Sequence, residues 1–253
     1  MNEKMAVFVL VERELRRFWR SKSRLVSSII QPLFLLIALG GGLSAAVIMK
    51  GYGGTYFEFM APGIAIMSVV STGLFLGVSV IWDRMFGFMK EILVAPISRV
   101  SIALGKAIGG AIIATLNGVI VLIIGMAFGV IQPSFVFLPL VLAMFITGLI
   151  FACFGISMAS IIEDMQAFQL ISNLLFTPMI FLSGAFYPLS NAPDPLKYAS
   201  MINPMAYPVD LARGLITGVF YFPPFVDVLM LLLLFAVSLS MASYLFNKIK
   251  AEI

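Results

Sequence analysis

The sequence predicts an all-α integral membrane protein, a single domain over residues 1–253 with six transmembrane helices and both ends in the cytoplasm. Three observations predict it. Of 253 residues, 61% are apolar and only 11% charged, with a mean hydropathy of +1.09, whereas a soluble domain is about one-quarter charged. The apolar residues gather into six stretches near the length of roughly 20 residues that a helix needs to cross the hydrocarbon core. The basic residues are distributed very unevenly among the segments between those stretches.

The elements follow in chain order. Residues 1–24 are polar and basic with a helical period: Phe8, Val11, Leu15, Phe18 and Trp19 recur at steps of three and four, and Arg13, Arg16, Arg17 and Arg20 gather on the other side. This pattern predicts a helix lying at the headgroups with Trp19 as its anchor. The first span is Leu25 to Met49, interrupted at Gln31-Pro32 and at Gly40-Gly41-Gly42, and the second is Met60 to Ile81. A charged segment, residues 82–101, comes next. Ile102 to Phe128 and Val136 to Ser160 read as a hairpin turned at Gln132-Pro133-Ser134, and Ala167 to Phe186 as the fifth span. Residues 187–224 form a long proline-rich connection, and Phe225 to Phe246 is the sixth span.

Six spans put both termini on one side, and charge selects the side. With the N-terminus inside, thirteen of the sixteen Lys and Arg residues fall on the inner segments, leaving Lys50, Lys197 and Arg213 outside. Translocated Lys and Arg are costly, so this asymmetry predicts an N-in, C-in topology. Gly73 and Gly77, and Gly105 and Gly109, fit the small-xxx-small spacing that lets membrane helices approach closely within one subunit.

Several function classes are excluded. There is no histidine, which removes the commonest general base and metal ligand. Glu163 and Asp164 are adjacent and read as a solvated turn rather than a metal site, and the one cysteine, Cys153, lies mid-span as a packing residue. Leu104-Gly105-Lys106-Ala107 lacks the upstream glycine and the hydroxyl of a phosphate-binding loop. The basic residues flank spans instead of forming a basic face with interleaved aromatics, so nucleic acid is not an expected partner. The spans carry no expected buried charge, and Lys106 is placed where it can snorkel to the interface. Coupled carriers usually hold ionisable groups near the midplane, so the energy for any transport is expected from another polypeptide.

Residues 82–101 are the most informative. Charged Asp83, Arg84, Lys90, Glu91 and Arg99 alternate with Met85, Phe86, Phe88, Met89, Ile92 and Leu93, and the helical pattern stops before Pro96. Spacing alone suits two structures equally, a cytoplasmic knob for a partner's groove and a helix resting on the membrane surface. The stretch from Met89 to Arg99 with Leu104-Gly105-Lys106 resembles the signature of the permeases of the second, drug- and glycoconjugate-exporting class of ATP-binding-cassette transporters. A second match, Leu182 to Leu189 followed by Ile202 to Tyr207 and Val209 to Arg213, looks like that family's loop between spans five and six. With the six spans and the N-terminal helix, the resemblance covers nearly the whole chain.

The resemblance implies that residues 82–101 form a coupling helix between spans two and three. Arg84, Lys90, Glu91, Leu93, Pro96, Ile97 and Arg99 would then meet a separate ATPase subunit. It implies an outer gate in the loop from Gly184 to Phe220, dipping back into the outer leaflet as short re-entrant helices, with Ser183, Gly184, Phe186, Tyr187, Pro188, Asn203, Pro204, Asp210 and Arg213 as its residues. Asn203-Pro204 is itself a turn signal, and Asp210 and Arg213 stand three apart on one helical face. By the same resemblance the chain is one of two permease copies, expected as a homodimer, with two ATPase copies that bind the ATP and magnesium; this chain holds no cofactor. It would sit as a multi-pass protein in the plasma or inner membrane and export an amphipathic, drug-like or lipid-like substrate, or a polysaccharide or glycolipid. The rival expectations are a secondary transporter or channel, and a membrane scaffold that recruits a partner without transporting.

Overall fold

The computed structural model describes residues 3–44, 54–94, 97–129 and 136–248, excepting the side chains of residues 23–25, 90 and 93. All regular structure among them is helical. Four helical segments are long and apolar enough to cross a membrane: Tyr56–Met85, Arg99–Ala127, Phe137–Ile161 and Pro224–Asn247. Two shorter apolar ones, Val26–Gly41 and Met165–Phe181, stand where the first and fifth spans are expected.

Helix α1, Glu3–Arg20, buries Ala6, Leu10, Glu14 and Phe18, a stripe at four-residue steps, and exposes Phe8 and Trp19. Helix α2, Lys22–Leu35, contains Pro32 and passes into a π-helical turn, Leu36–Gly41. Proline's missing donor and the glycines after it explain why the first span departs from a regular helix. The expected remainder of that span beyond residue 44, to Met49, lies outside the described residues, as does the turn at Gln132-Pro133-Ser134.

The second span is longer than expected. It starts at α3, Tyr56–Leu74, where Thr55 and Glu58 form a reciprocal capping box, and continues after a tight break as α4, Gly77–Met85. Trp82, Asp83 and Arg84 therefore belong to the last turns of a spanning helix rather than to a separate polar segment. The break seats α4 on α7, Phe137–Ile161: a Cβ on Gly77 would stand 2.3 Å from the Gly155 carbonyl oxygen. Close approach, as the glycine spacing predicts, is made within one subunit.

A short helix, α5 (Phe88–Val94), precedes α6 (Arg99–Ala127), which is capped by the Ser98 hydroxyl. Helix α3 is central, packed against α6, α7 and the later α10, Ala206–Thr217. Helix α1 lies on α6 over Gly105 and Gly109, whose added Cβ atoms would stand 2.8 Å from Leu10 Cβ and 2.9 Å from Glu14 Cβ. Asp164 caps α8, Met165–Phe181, by accepting from the Ala167 amide at 2.7 Å, so this acidic pair ends one helix and begins the next. The proline-rich connection is largely helical, with α9 (Asp194–Ile202) and α10 (Ala206–Thr217), and α11 (Pro224–Asn247) closes the fold. Most of α9 is exposed, whereas Ala206 to Gly214 of α10 are all buried.

Candidate functional site

At one end of the bundle, α1, α4 and α6 meet around a buried ionic cluster. Lys106, on α6, is fully buried, and its ammonium lies 3.1 Å from Glu14 Oε1 on α1 and 3.4 Å from Ser79 Oγ. It also bonds the Asp83 carboxylate on α4. Asp83 in turn accepts from Arg13 Nη2 at 2.7 Å and lies 3.5 Å from Arg17 Nη1. The expectation that the spans carry no buried charge, and that Lys106 snorkels, is therefore corrected. Glu14 falls on the stripe of α1 that α6 covers, and Asp83 reaches the same level from α4. Lysine consequently has two anions within reach and no need of water.

This cluster ties together both stems of the segment that carries α5. Arg84 turns the other way, donating to the Ala159 and Ser160 carbonyls at the end of α7 and lying 3.4 Å from Glu163. Arg99 donates to the Asn247 carbonyl at 2.6 Å, and the Ser101 hydroxyl donates to Glu3, so the starts of α1 and α6 and the end of α11 share this basic end. Glu91 is exposed on α5, whereas Ile97 is partly buried against the core. Pro96 and the side chains of Lys90 and Leu93 lie outside the described residues.

At the opposite end the polar residues are held by backbone. Gly184, at φ +74°, makes the left-handed turn after α8, a conformation that favours glycine. Its carbonyl accepts from Arg213 Nη2 at 2.7 Å; Arg213 also donates to the Phe59 carbonyl and lies 3.8 Å from the Phe59 ring centroid. Ser183 donates to Ile180 and accepts from Ala185, and the Phe186 carbonyl accepts from the Tyr56 hydroxyl at 2.9 Å. Asn203 donates to the Met179 carbonyl at 2.7 Å and accepts from the Met205 amide. The expected Asp210–Arg213 pairing is only partly realised: Arg213 is near enough to act on Asp210 electrostatically, but the carboxylate's hydrogen bonds come from the Tyr221 and Phe222 amides at 2.8–3.0 Å. Burial, the largest influence, raises the Asp210 pKa above the usual carboxylate value despite those donors. Tyr187 and Pro188 lead into the 3₁₀ turn Leu189–Asn191, and Pro204 begins the turn into α10.

Between the ends, α2, α3 and α8, with Phe18 of α1, line a partly open cavity of about 470 Å³. Its polar lining among the described residues is neutral: Ser27, Ser28 and Gln31 from α2, Ser68, Ser71 and Thr72 from α3, and Asn173 and Thr177 from α8. Phe18, Phe75, Phe176 and Ile180 supply an apolar wall. Beside it, Ser28 donates to Asn117 and Asn117 to Thr72 at 3.0 Å, joining three helices through uncharged groups. The Ser68 hydroxyl is buried without a hydrogen-bond partner. Among the described residues there is no group of three or more side chains suited to a metal.

A family model described as ABC-2 type transporter matches residues 5–217, taking in the basic end, the cavity and α10 together. The chain belongs to the ABC-2 type transporter family. It is similar to the transport permease ycf38 of Cyanophora paradoxa, 29% identical over 83% of this chain and 73% of the relative. Nodulation protein J of Rhizobium leguminosarum bv. trifolii is 30% identical over 81% of this chain and 76% of its own length. The ycf38 permease of Pyropia yezoensis is 30% identical over 83% and 73%. The chain is thus a membrane-embedded, multi-pass transport permease, and permeases of this family work with an ATPase subunit.

Two features of this ABC-2 permease escaped sequence reasoning. The ionic cluster was hidden because Glu14, Asp83 and Lys106 are remote in sequence, although Glu14 on the apolar stripe of α1 was a signal. The cavity lining had a plainer one: Ser68, Ser71 and Thr72, like Ser27, Ser28 and Gln31, follow the three- and four-residue steps of one helical face.

Proposed function

We propose that this ABC-2 permease exports an amphipathic, uncharged, drug-like or lipid-like molecule from the cytoplasm or inner leaflet, driven by a separate ATPase. The observation that carries the reading is the cavity between α2, α3 and α8. Its size falls in the usual range for small-molecule sites, about 300–1,000 Å³. Hydroxyls and amides on one side and phenylalanines on the other suit a cargo with both polar and apolar parts. Among the described residues no charged side chain lines it, so a charged cargo would lose its hydration without compensation from them.

In this reading two permease copies, as a homodimer, work with two ATPases that dock around Glu91 in the cytoplasm. Closure of the ATPases pushes on α5, and the ionic cluster passes the displacement to α4, α6 and α1 together. The turn at Gly184 and helix α10 form the outer gate. The excess of basic residues at the α1 end supports the N-in orientation. A second reading, export of a glycolipid or polysaccharide, is favoured by the number of hydroxyl and amide groups in the same lining.

The test is reconstitution of the permease with its ATPase in proteoliposomes, scored by ATP hydrolysis and export across a panel of charged and uncharged amphiphiles and glycolipids. Uncharged amphiphiles should stimulate both, and Ser71→Leu with Asn173→Leu should raise the apparent KM. Carriage of solute by the permease alone would overturn the reading, as would stimulation by charged compounds only. Labelling of a cysteine at the exposed Ser190 from outside right-side-out vesicles tests the orientation; Cys153 is buried. Labelling from inverted vesicles alone would reverse it.

A further inference from the structure

A second concavity lies outside the proposed transport route. It is an open groove of about 800 Å³ between α1 and the α4–α5 turn, bordered by Val9, Glu12, Ser21, Trp82, Asp83, Phe86, Phe88 and four arginines. Arg13, Arg16, Arg17 and Arg20 are spaced three, four and seven residues from the first, so one stripe of α1 presents all four. The arginines differ in what they already hold. Arg13 and Arg17 bind Asp83, and that carboxylate also serves the buried Lys106. Arg16 pairs with Glu12 at 2.5 Å on an exposed flank. Arg20 has no ion pair among the described residues. The groove therefore carries four guanidinium groups against two carboxylates, one of which also serves Lys106; Arg20 is the guanidinium without an ion pair among the described residues, and Arg16 is exposed beside it.

Its aromatic members fix its depth. The Arg17 guanidinium lies 5.3 Å from the Trp82 ring centroid and that of Arg13 lies 5.7 Å from Phe88. Trp82, Phe86 and Phe88 are exposed at 42%, 66% and 48%. On the adjoining face of α1, Met5, Phe8 and Trp19 are exposed at 63%, 67% and 62%. Exposed tryptophan and phenylalanine beside a row of arginines is the arrangement of a headgroup-level surface, with apolar rings toward the acyl chains and guanidinium groups toward phosphates. Guanidinium forks bind phosphate oxygens bidentately.

We propose that this groove binds the phosphate headgroup of an anionic phospholipid from the surrounding leaflet. Arg16 and Arg20 supply the main contacts, and Trp82 and Phe86 pack on the glycerol and upper acyl carbons. The bound lipid becomes part of the contact between α1 and the base of α5. The inference needs only a membrane-embedded chain and is independent of the cargo.

The chain contains two tryptophans, Trp19 and Trp82, so a Trp19→Phe permease, assembled with its ATPase, has Trp82 as the only permease reporter. Tryptophans of the ATPase are replaced by phenylalanine or subtracted by a Trp19→Phe, Trp82→Phe control. In mixed vesicles, chain-brominated phosphatidylglycerol should quench Trp82 more strongly than chain-brominated phosphatidylcholine at equal mole fraction. Each arginine replaced, Arg16→Gln and Arg20→Gln, should reduce that preference about fivefold. Arg16→Lys with Arg20→Lys should keep much of it, separating lost charge from a damaged fold. Equal quenching by the two lipids in the parent protein would overturn the proposal. So would removal of the preference by millimolar inorganic phosphate or glycerophosphate, which would make the occupant a free anion. Loss of ATPase binding in the Gln variants with lipid preference unchanged would assign the groove to the ATPase instead.

Discussion

The two ends of this bundle bury charge in opposite ways. At the basic end, charge is met by charge: Lys106 with Glu14 and Asp83, and Asp83 with Arg13 and Arg17. These pairs join α1, α4 and α6, three elements remote from one another in the chain. At the opposite end, charge is met by backbone: Arg213 by the Phe59 and Gly184 carbonyls, and Asp210 by the Tyr221 and Phe222 amides. There the partners are the first turn of α3 and two connections, at Gly184 and at Tyr221-Phe222. The difference separates a junction that ties three helices together from a cap that fixes the geometry of a loop.

The largest effect should come from breaking the junction. Lys106→Met leaves Asp83 and Glu14 buried with less compensation, and removing one partner of a buried ion pair costs about 3–5 kcal/mol. Thermal unfolding in nanodiscs should show a large loss for Lys106→Met and partial recovery when Glu14→Gln is added. Recovery is the informative part, because a mere packing defect at Lys106 would be made no better by a second substitution 92 positions away. Arg213→Met at the opposite end should cost less, about 1.5–3 kcal/mol for hydrogen bonds made by a charged donor. Arg213→Lys should recover only part, since one ammonium cannot serve both carbonyls and the Phe59 face as the planar group does. If Arg213→Met proved the more damaging, the division between the ends would be wrong.

Between these ends, Gly77→Ala tests the close crossing of α4 on α7. The new methyl would stand 2.3 Å from the Gly155 carbonyl oxygen, and overpacking of this kind costs about 1–3 kcal/mol. The helices must separate to admit it, so an α4–α7 cysteine cross-link should slow in the variant. An unchanged cross-linking rate would mean that the crossing is looser than the glycine pair implies.

The same contrast explains what the sequence disclosed. Membrane helices are legible because their apolar runs are local: α6, α7 and α11 fall within a few residues of their expected bounds. Residues 187–224 read as a proline-rich connection in which the resemblance implies short helices, and α9 and α10 lie there. Their burial was not legible: α10 is part of the core because Arg213 reaches back to α3, a contact 154 residues apart in the chain. Lys106 shows the converse limit. A lysine near a helix end ordinarily snorkels, and only the arrival of Glu14 and Asp83 from two other helices removes the reason to do so. Glycine spacing stood between these cases, since it announced close approach without naming Gly155, Leu10 or Glu14 as the neighbours.

Glu91 offers the smallest structural effect and the sharpest functional one. It is exposed on α5, beyond the ionic junction rather than inside it, so Glu91→Lys should change stability by no more than about 0.5 kcal/mol. Membrane insertion and the Lys106 contacts should be intact. If α5 receives the push of the ATPase, reversing this charge should abolish ATP-driven export while unfolding remains as in the parent. The junction and the knob then separate by readout: Lys106→Met damages fold and export together, whereas Glu91→Lys removes export alone. Export at the parental rate in Glu91→Lys, with the ATPase still bound, would place the input elsewhere, and the groove beside Arg16 and Arg20 would be the next surface to test.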